Sequence, residues 1–245
     1  MIPLRDDPGE PRRSFPWIML SIVVLNVLAF VFELSFGSTA SLDNLFLSAG
    51  VVPVEFTHPG TLVGPPPPLG SPITTLFTSM FLHGGLLHIA SNMLYLFIFG
   101  DNVEDRLGHF RFLLFYFACG VIAGITHIVV NANSPVPSIG ASGAIAGVLA
   151  AYLRLFPHAQ VRTLLFIGPF ILVPRIAAAF LILFWFITQF LSGVTSLGAT
   201  SQETSGVAVW AHIGGFIGGL ILLEVLRPRR RAALVSSLVG RQKPS

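Results

Sequence analysis

Pro137-Ser138-Ile139-Gly140-Ala141-Ser142-Gly143-Ala144-Ile145-Ala146-Gly147 sets a hydroxyl between small residues at the mouth of an apolar run. Gly140 and Gly143 let other backbones approach Ser142, and they permit a tight entry turn whose free amides point at whatever the hydroxyl attacks. The same spacing has a plainer use, because Gly143-x-x-x-Gly147 is a pattern of close-packed membrane helices. Taken alone the stretch favours packing, and the segments around it decide whether it also carries a nucleophile.

The 245 residues are 53% hydrophobic and only 10% charged, with a mean hydropathy of +0.79. Several apolar runs are long enough to span a bilayer, so the expected fold class is all-α, a polytopic membrane protein built as a six-helix bundle. Cys119 is the one cysteine, which excludes intrachain disulfides and a cysteine metal site. A net charge of +3 is accounted for by membrane orientation, and no nucleic-acid partner is expected.

Residues 1–14 mix Arg5, Arg12 and Arg13 with Asp6, Asp7 and Glu10, which argues against a transit peptide and gives a cytoplasmic N-terminal segment. The membrane domain is expected over 15–228 and a basic cytoplasmic tail over 229–245. The first span, 15–36, reads as a signal anchor in which Asn26 bonds within the bundle and Glu33 sits near the interface. Residues 37–78 lack Lys and Arg, and amphipathic pieces at 42–47 and 51–56 predict a loop lying partly in the membrane interface. The second span is expected from about 79 to 99, with His88 and Asn92 one helical turn apart on one face. Residues 100–108 read as a charged connector and 110–130 as the third span. The fourth, from Ser142 to about 156, is about 22 Å long, a length that suits a position surrounded by protein. Residues 157–175 read as an interfacial connector. Spans five and six cover about 176–191 and 207–226, joined by a Gly/Ser/Thr-rich loop at 193–206.

All 14 Lys and Arg fall in the N-terminus, the 100–111 connector, the 154–175 region or the C-terminus, so both termini are expected in the cytoplasm. Spans two, four and six then run from outside to inside, and His88, Ser142 and His212 lie near their starts. At about 1.5 Å per residue, His212 sits roughly 8 Å and His88 roughly 13 Å from the outer ends. An ionisable side chain inside a span is costly unless paired or hydrated, and it marks function by default. A Ser and a His on neighbouring helices suffice for nucleophilic catalysis, the imidazole taking the hydroxyl proton and returning it to the leaving amine. With no Asp near this depth, a dyad is expected rather than a triad. The Ser142 amide, the Asn92 side chain and His88 are available as oxyanion donors.

His83-x4-His88-x3-Asn92, Gly140-Ala141-Ser142-Gly143 and Ala211-His212-Ile213-Gly214-Gly215, in this order on alternate spans, resemble the rhomboid intramembrane serine proteases. Glu104-x-Arg106-Leu107-Gly108 is similar to that family too, and the resemblance is strongest over 70–228. It implies a rhomboid-type bundle of six transmembrane helices and a serine endopeptidase that cuts peptide bonds in or beside the transmembrane segments of other membrane proteins. It also implies Ser142 as nucleophile, His212 as its base, His88 and Asn92 as oxyanion stabilisers, and His83 as a shaper of the polar cavity. Single-span or other transmembrane proteins are the expected partners within the bilayer, with no cofactor and no metal. The chain departs from the pattern twice. Thr74-Thr75 stand where some members carry Trp-Arg, and Ala146 stands where many carry an aromatic that stacks on the catalytic imidazole. A different side chain must therefore hold the His212 ring.

Gly214-x-x-x-Gly218 and Gly215-x-x-x-Gly219 read as close helix contacts, and His58, His109, His127 and His158 as interfacial or packed residues. Phe184, Trp185 and Phe186 are placed to act with loop 193–206 as side gate and lid, or else simply face lipid. A zinc peptidase using His83, His88 and His212 is disfavoured because no His-Glu-x-x-His occurs. A catalytically inactive relative that binds membrane clients is disfavoured by the intact Ser142 and His212. Compact length and the positive-inside bias favour a bacterial cytoplasmic membrane.

Overall fold

The computed structural model describes residues 1–196 and 209–227. Its helices are α1 (Trp17–Glu33), α2 (Thr39–Ala49), α3 (Pro53–Thr57), α4 (Thr75–Thr78), α5 (Leu86–Leu107), α6 (His109–Val130), α7 (Ser142–Leu155), α8 (Ala178–Ser196) and α9 (Val209–Leu226). Among the described residues, α6 and α9 are each long and apolar enough to cross a membrane. Pro72–Phe81 together with α5, bent by 83°, makes a third such unit, and α1, α7 and Ala178–Leu191 are shorter apolar helices. The expected loop 193–206 lies mostly outside the described residues, and the tail 229–245 lies wholly outside them.

α7 is the axis of the bundle. Every residue from 143 to 152 is buried, so the helix is enclosed by protein on all sides, as its apolar circumference and short length require. Alanine and glycine make the enclosure tight. A Cβ at Gly219 of α9 would stand 2.6 Å from the Gly147 carbonyl oxygen, and one at Gly147 would stand 3.1 Å from that of Gly215. The two helices thus meet backbone to backbone, and the small-residue stripe that opens with Gly143 serves packing while Ser142 heads the same helix. Phe99, Phe112, Phe115, Tyr116, Leu149 and Tyr152 belong to the large core packed around α7.

Three expectations are corrected. The connector at 100–108 is helical, forming the last turns of α5, and Gly108 alone, at φ 81°, separates α5 from α6. Its charges have tertiary partners that local sequence does not reveal. The buried Glu104 carboxylate accepts the Ile18 and Met19 amides at 3.0 and 2.7 Å, which caps the positive end of α1. Asp105 Oδ1 accepts from the Ser14 amide and hydroxyl, both at 2.7 Å. Arg106 reaches Glu10 at 2.8 Å and lies over the Phe156 ring.

The second correction concerns the start of span two. The helix begins at Leu86, after the bend, so His88 lies in its first turn and the depth of roughly 13 Å counted from residue 79 does not apply. Gly85, at φ 157°, precedes the helix and marks the break.

Third, the chain is not all-α. Within 157–175 and just beyond it, β2 (Gln160–Ile167), β3 (Phe170–Leu172) and β4 (Arg175–Ala177) form strands, and β1 (Ile2–Asp7) pairs antiparallel with β2 in the register Ile2↔Leu164 to Asp7↔Gln160. Val161 and Thr163 turn inward and are buried, a period of two that suits a strand. The partner strand lies more than 150 residues away in sequence, beyond any local reading. Phe166, Phe170 and Ile171, between Arg162 and Arg175 in sequence, are exposed on this sheet.

In the segment 37–78 the amphipathic piece 42–47 falls within α2 and the piece 51–56 overlaps α3, and the segment fixes the entry to α7. Val51 and Ser138 exchange backbone hydrogen bonds at 2.9 and 2.8 Å, and the Gly140 amide donates to the Ser79 carbonyl at 2.8 Å.

Candidate active site

Ser142 is the first residue of α7 and His212 lies in the first turn of α9. Since α7 and α9 touch through their glycines, the two side chains are brought together by the packing itself. Ser142 Oγ and His212 Nε2 are 2.7 Å apart, within the range of a hydroxyl donating to an imidazole. Both residues are half-buried. The first-turn amides of α7 have no partner within the helix and face the same end as the hydroxyl.

Gly140 is the special backbone position of the site. Its φ of 122° is poorly tolerated by residues with a side chain, and a Cβ there would lie 2.8 Å from His88 Nε2. The missing side chain is what lets the His88 imidazole stand over the turn into Ser142. Asn92, one turn further along α5, is buried beside it, and its Nδ2 donates to His83 Nε2 at 3.0 Å. His83 in turn gives its Nδ1 proton to the Phe81 carbonyl at 3.3 Å. His83 therefore orients Asn92 across the bend, and the second N–H of that amide stays available. A cavity of about 30 Å³ reaches Ser79, Ile139, Gly140, Ser142 and Ala211, enough for a water molecule.

Three partners were missed at the sequence level. Gln189 of α8 places Oε1 2.7 Å from His212 Nδ1. Trp185, one turn earlier, has its ring centroid 5.5 Å from that of His212 at 45°. Glu33, expected near the interface, is buried and accepts the His83 amide at 3.0 Å. The adjacent Thr188 and Gln189 are polar on an otherwise apolar span, a signal that marks the position but names no partner for it. The aromatics of span five divide: Phe184 is exposed, whereas Phe186 stacks on Phe216 at 4.3 Å. Among the described residues no three His, Cys, Asp or Glu side chains gather as a metal-ligand set.

A hydroxyl and an imidazole in contact within a bundle of apolar helices, with polar amides around them, define a helical membrane protein with a buried polar site. The chain belongs to the rhomboid family: the Rhomboid domain matches residues 71–229. It is similar to the rhomboid protease GluP of Bacillus subtilis strain 168, 36% identical over 151 residues that make up 62% of this chain and 25% of that protein. It is similar also to the chloroplastic rhomboid-like protein 11 of Arabidopsis thaliana, 30% identical over 61% of this chain and 51% of that one. The human mitochondrial presenilin-associated rhomboid-like protein is 30% identical over 59% of this chain and 36% of its own length. The chain thus spans from a quarter to about half the length of these relatives.

Proposed function

We propose that this chain is an intramembrane serine endopeptidase that hydrolyses peptide bonds in or next to the transmembrane segments of other membrane proteins. The observation that carries the reading is the 2.7 Å approach of Ser142 Oγ to His212 Nε2 at the heads of two helices locked by glycines. His212 takes the hydroxyl proton as Oγ attacks the substrate carbonyl carbon, and it then returns that proton to the departing amine. The oxyanion is met by the Ser142 amide, Asn92 Nδ2 and His88, donors that are in place before the substrate arrives. Water, deprotonated by the same imidazole, then releases the acyl group and regenerates Ser142.

Substrate enters sideways in this reading. An apolar crevice of about 180 Å³ separates α5 from α8, lined by Tyr95, Phe99, Leu181, Phe184, Trp185 and Thr188 together with Met1 and with Pro3 of β1, so with the N-terminus in the cytoplasm it runs toward the cytoplasmic end and marks loose packing of α8 rather than the entry itself. With both termini and the basic residues on the cytoplasmic side, spans two, four and six start at the outer face and cleavage falls near it. A peptide bond in a helix is shielded by its own hydrogen bonds, so the substrate unwinds locally before reaching Ser142. A bacterial cytoplasmic membrane is the setting this orientation suits. The test is cleavage of a generic single-span protein by the purified chain in detergent. Ser142→Ala is expected to abolish cleavage, a fluorophosphonate to label Ser142, and chelators to have no effect.

A further inference from the structure

Resting on the Ser142–His212 reading, we propose that Gln189 is the positioning residue of the base: its amide oxygen fixes the His212 tautomer and steadies the imidazolium. Ser142 can give its proton only to a bare Nε2, which requires that Nδ1 carry the ring proton. Gln189 Oε1 lies 2.7 Å from Nδ1. A carbonyl oxygen accepts and never donates, so this contact holds Nδ1–H and leaves Nε2 open to Ser142 Oγ on the far side of the ring. When His212 takes the hydroxyl proton, positive charge develops on a ring that already faces the negative end of an amide dipole.

A neutral acceptor suits the setting. A carboxylate in the same place would have to be desolvated among apolar helices whenever the imidazole is neutral. Trp185 adds a second restraint from the same helix, its ring 5.5 Å from the imidazole. Ala146, fully buried on α7, offers only a methyl group where the family often has a stacking ring. The base is thus held from α8 rather than from α7, and its alignment depends on the position of α8, which packs chiefly on α9.

The test uses the full chain in detergent, a single-span substrate, and four variants: Gln189→Leu, Gln189→Glu, Ser142→Ala and His212→Ala. Gln189→Leu is expected to lower kcat about 10- to 100-fold with KM changed by less than about twofold, the effect of one hydrogen bond to a group that becomes charged. Fluorophosphonate labelling of Ser142 slows in parallel. Gln189→Glu still accepts from Nδ1, so it recovers most of the rate and moves the acidic limb of kcat/KM to higher pH, because a carboxylate favours the imidazolium. A wild-type kcat in Gln189→Leu, while Ser142→Ala and His212→Ala are inactive, overturns the role of Gln189 and leaves the dyad standing. Activity surviving in His212→Ala overturns both. If Gln189→Leu does not fold, the Gln189→Glu profile decides, and an unmoved acidic limb overturns the proposal.

Discussion

Asn92 on α5 and His83 in the break before α5 are joined by a 3.0 Å hydrogen bond from Nδ2 to Nε2, so the amide beside the Gly140 turn is held by a residue outside its own helix. Asn92→Ala and His88→Ala are each expected to lose about 10²–10³-fold in kcat, the magnitude of one oxyanion donor. His83→Leu should lose less, because Asn92 remains but is no longer oriented. Steady-state kinetics on the three variants checks the order, and a larger loss in His83→Leu than in Asn92→Ala would place His83 in the chemistry itself.

The glycine seam predicts a stability effect coupled to activity. In Gly219→Ala the new methyl would fall within 2.6 Å of the Gly147 carbonyl oxygen, so α7 and α9 must part. Overpacking of this kind costs about 1–3 kcal/mol. Thermal unfolding in detergent should show the loss, with kcat falling as the Ser142–His212 contact lengthens.

Asp6 links the N-terminal strand to the bundle, accepting from Tyr152 Oη at 2.6 Å and Asn102 Nδ2 at 2.8 Å. Burial raises its carboxyl above the ordinary value, with the Tyr152 hydrogen bond pulling the other way. The native state then holds the Asp6 proton more tightly than the unfolded chain does. Its contribution to stability is therefore fully present below the unfolded pKa and is lost as pH rises through the native one. Both donors meet the same oxygen, Oδ2, so an asparagine carbonyl can accept both. Asp6→Asn is expected to flatten the decline in stability as pH rises above the ordinary carboxylate range, measured by unfolding in detergent. An unchanged slope would assign it to other groups.

Phe186 is the clean probe of the side gate, because Trp185 also touches the base. Phe186→Ala removes the stack on Phe216 and should raise turnover of transmembrane substrates while leaving soluble unfolded ones unaffected. Substrates with Gly or Pro near the outer end of their span should be cut faster, since those residues weaken the helix. Equal effects on both substrate types would count against lateral entry.

Much of this arrangement was legible in the chain. Apolar length located α1, α6, α7 and α9 to within a few residues, and Ser142, His88, Asn92 and His212 stood out in the chain as polar residues on apolar spans. What escaped depends on long-range partners. β2 pairs with a strand at the other end of the chain, Glu104 caps a helix 85 residues away, and Gln189 acquires meaning only once α8 lies against α9. Local charge and period carry no record of such pairings.

The central claim is that Ser142 and His212 work as one unit, and the most direct measurement is the cleavage rate of Ser142→Ala, His212→Ala and the double variant on one single-span substrate. Each single change is expected to abolish cleavage, and the double variant to be no worse than either. Losses that add across the two sites, or cleavage that survives Ser142→Ala, would contradict the account.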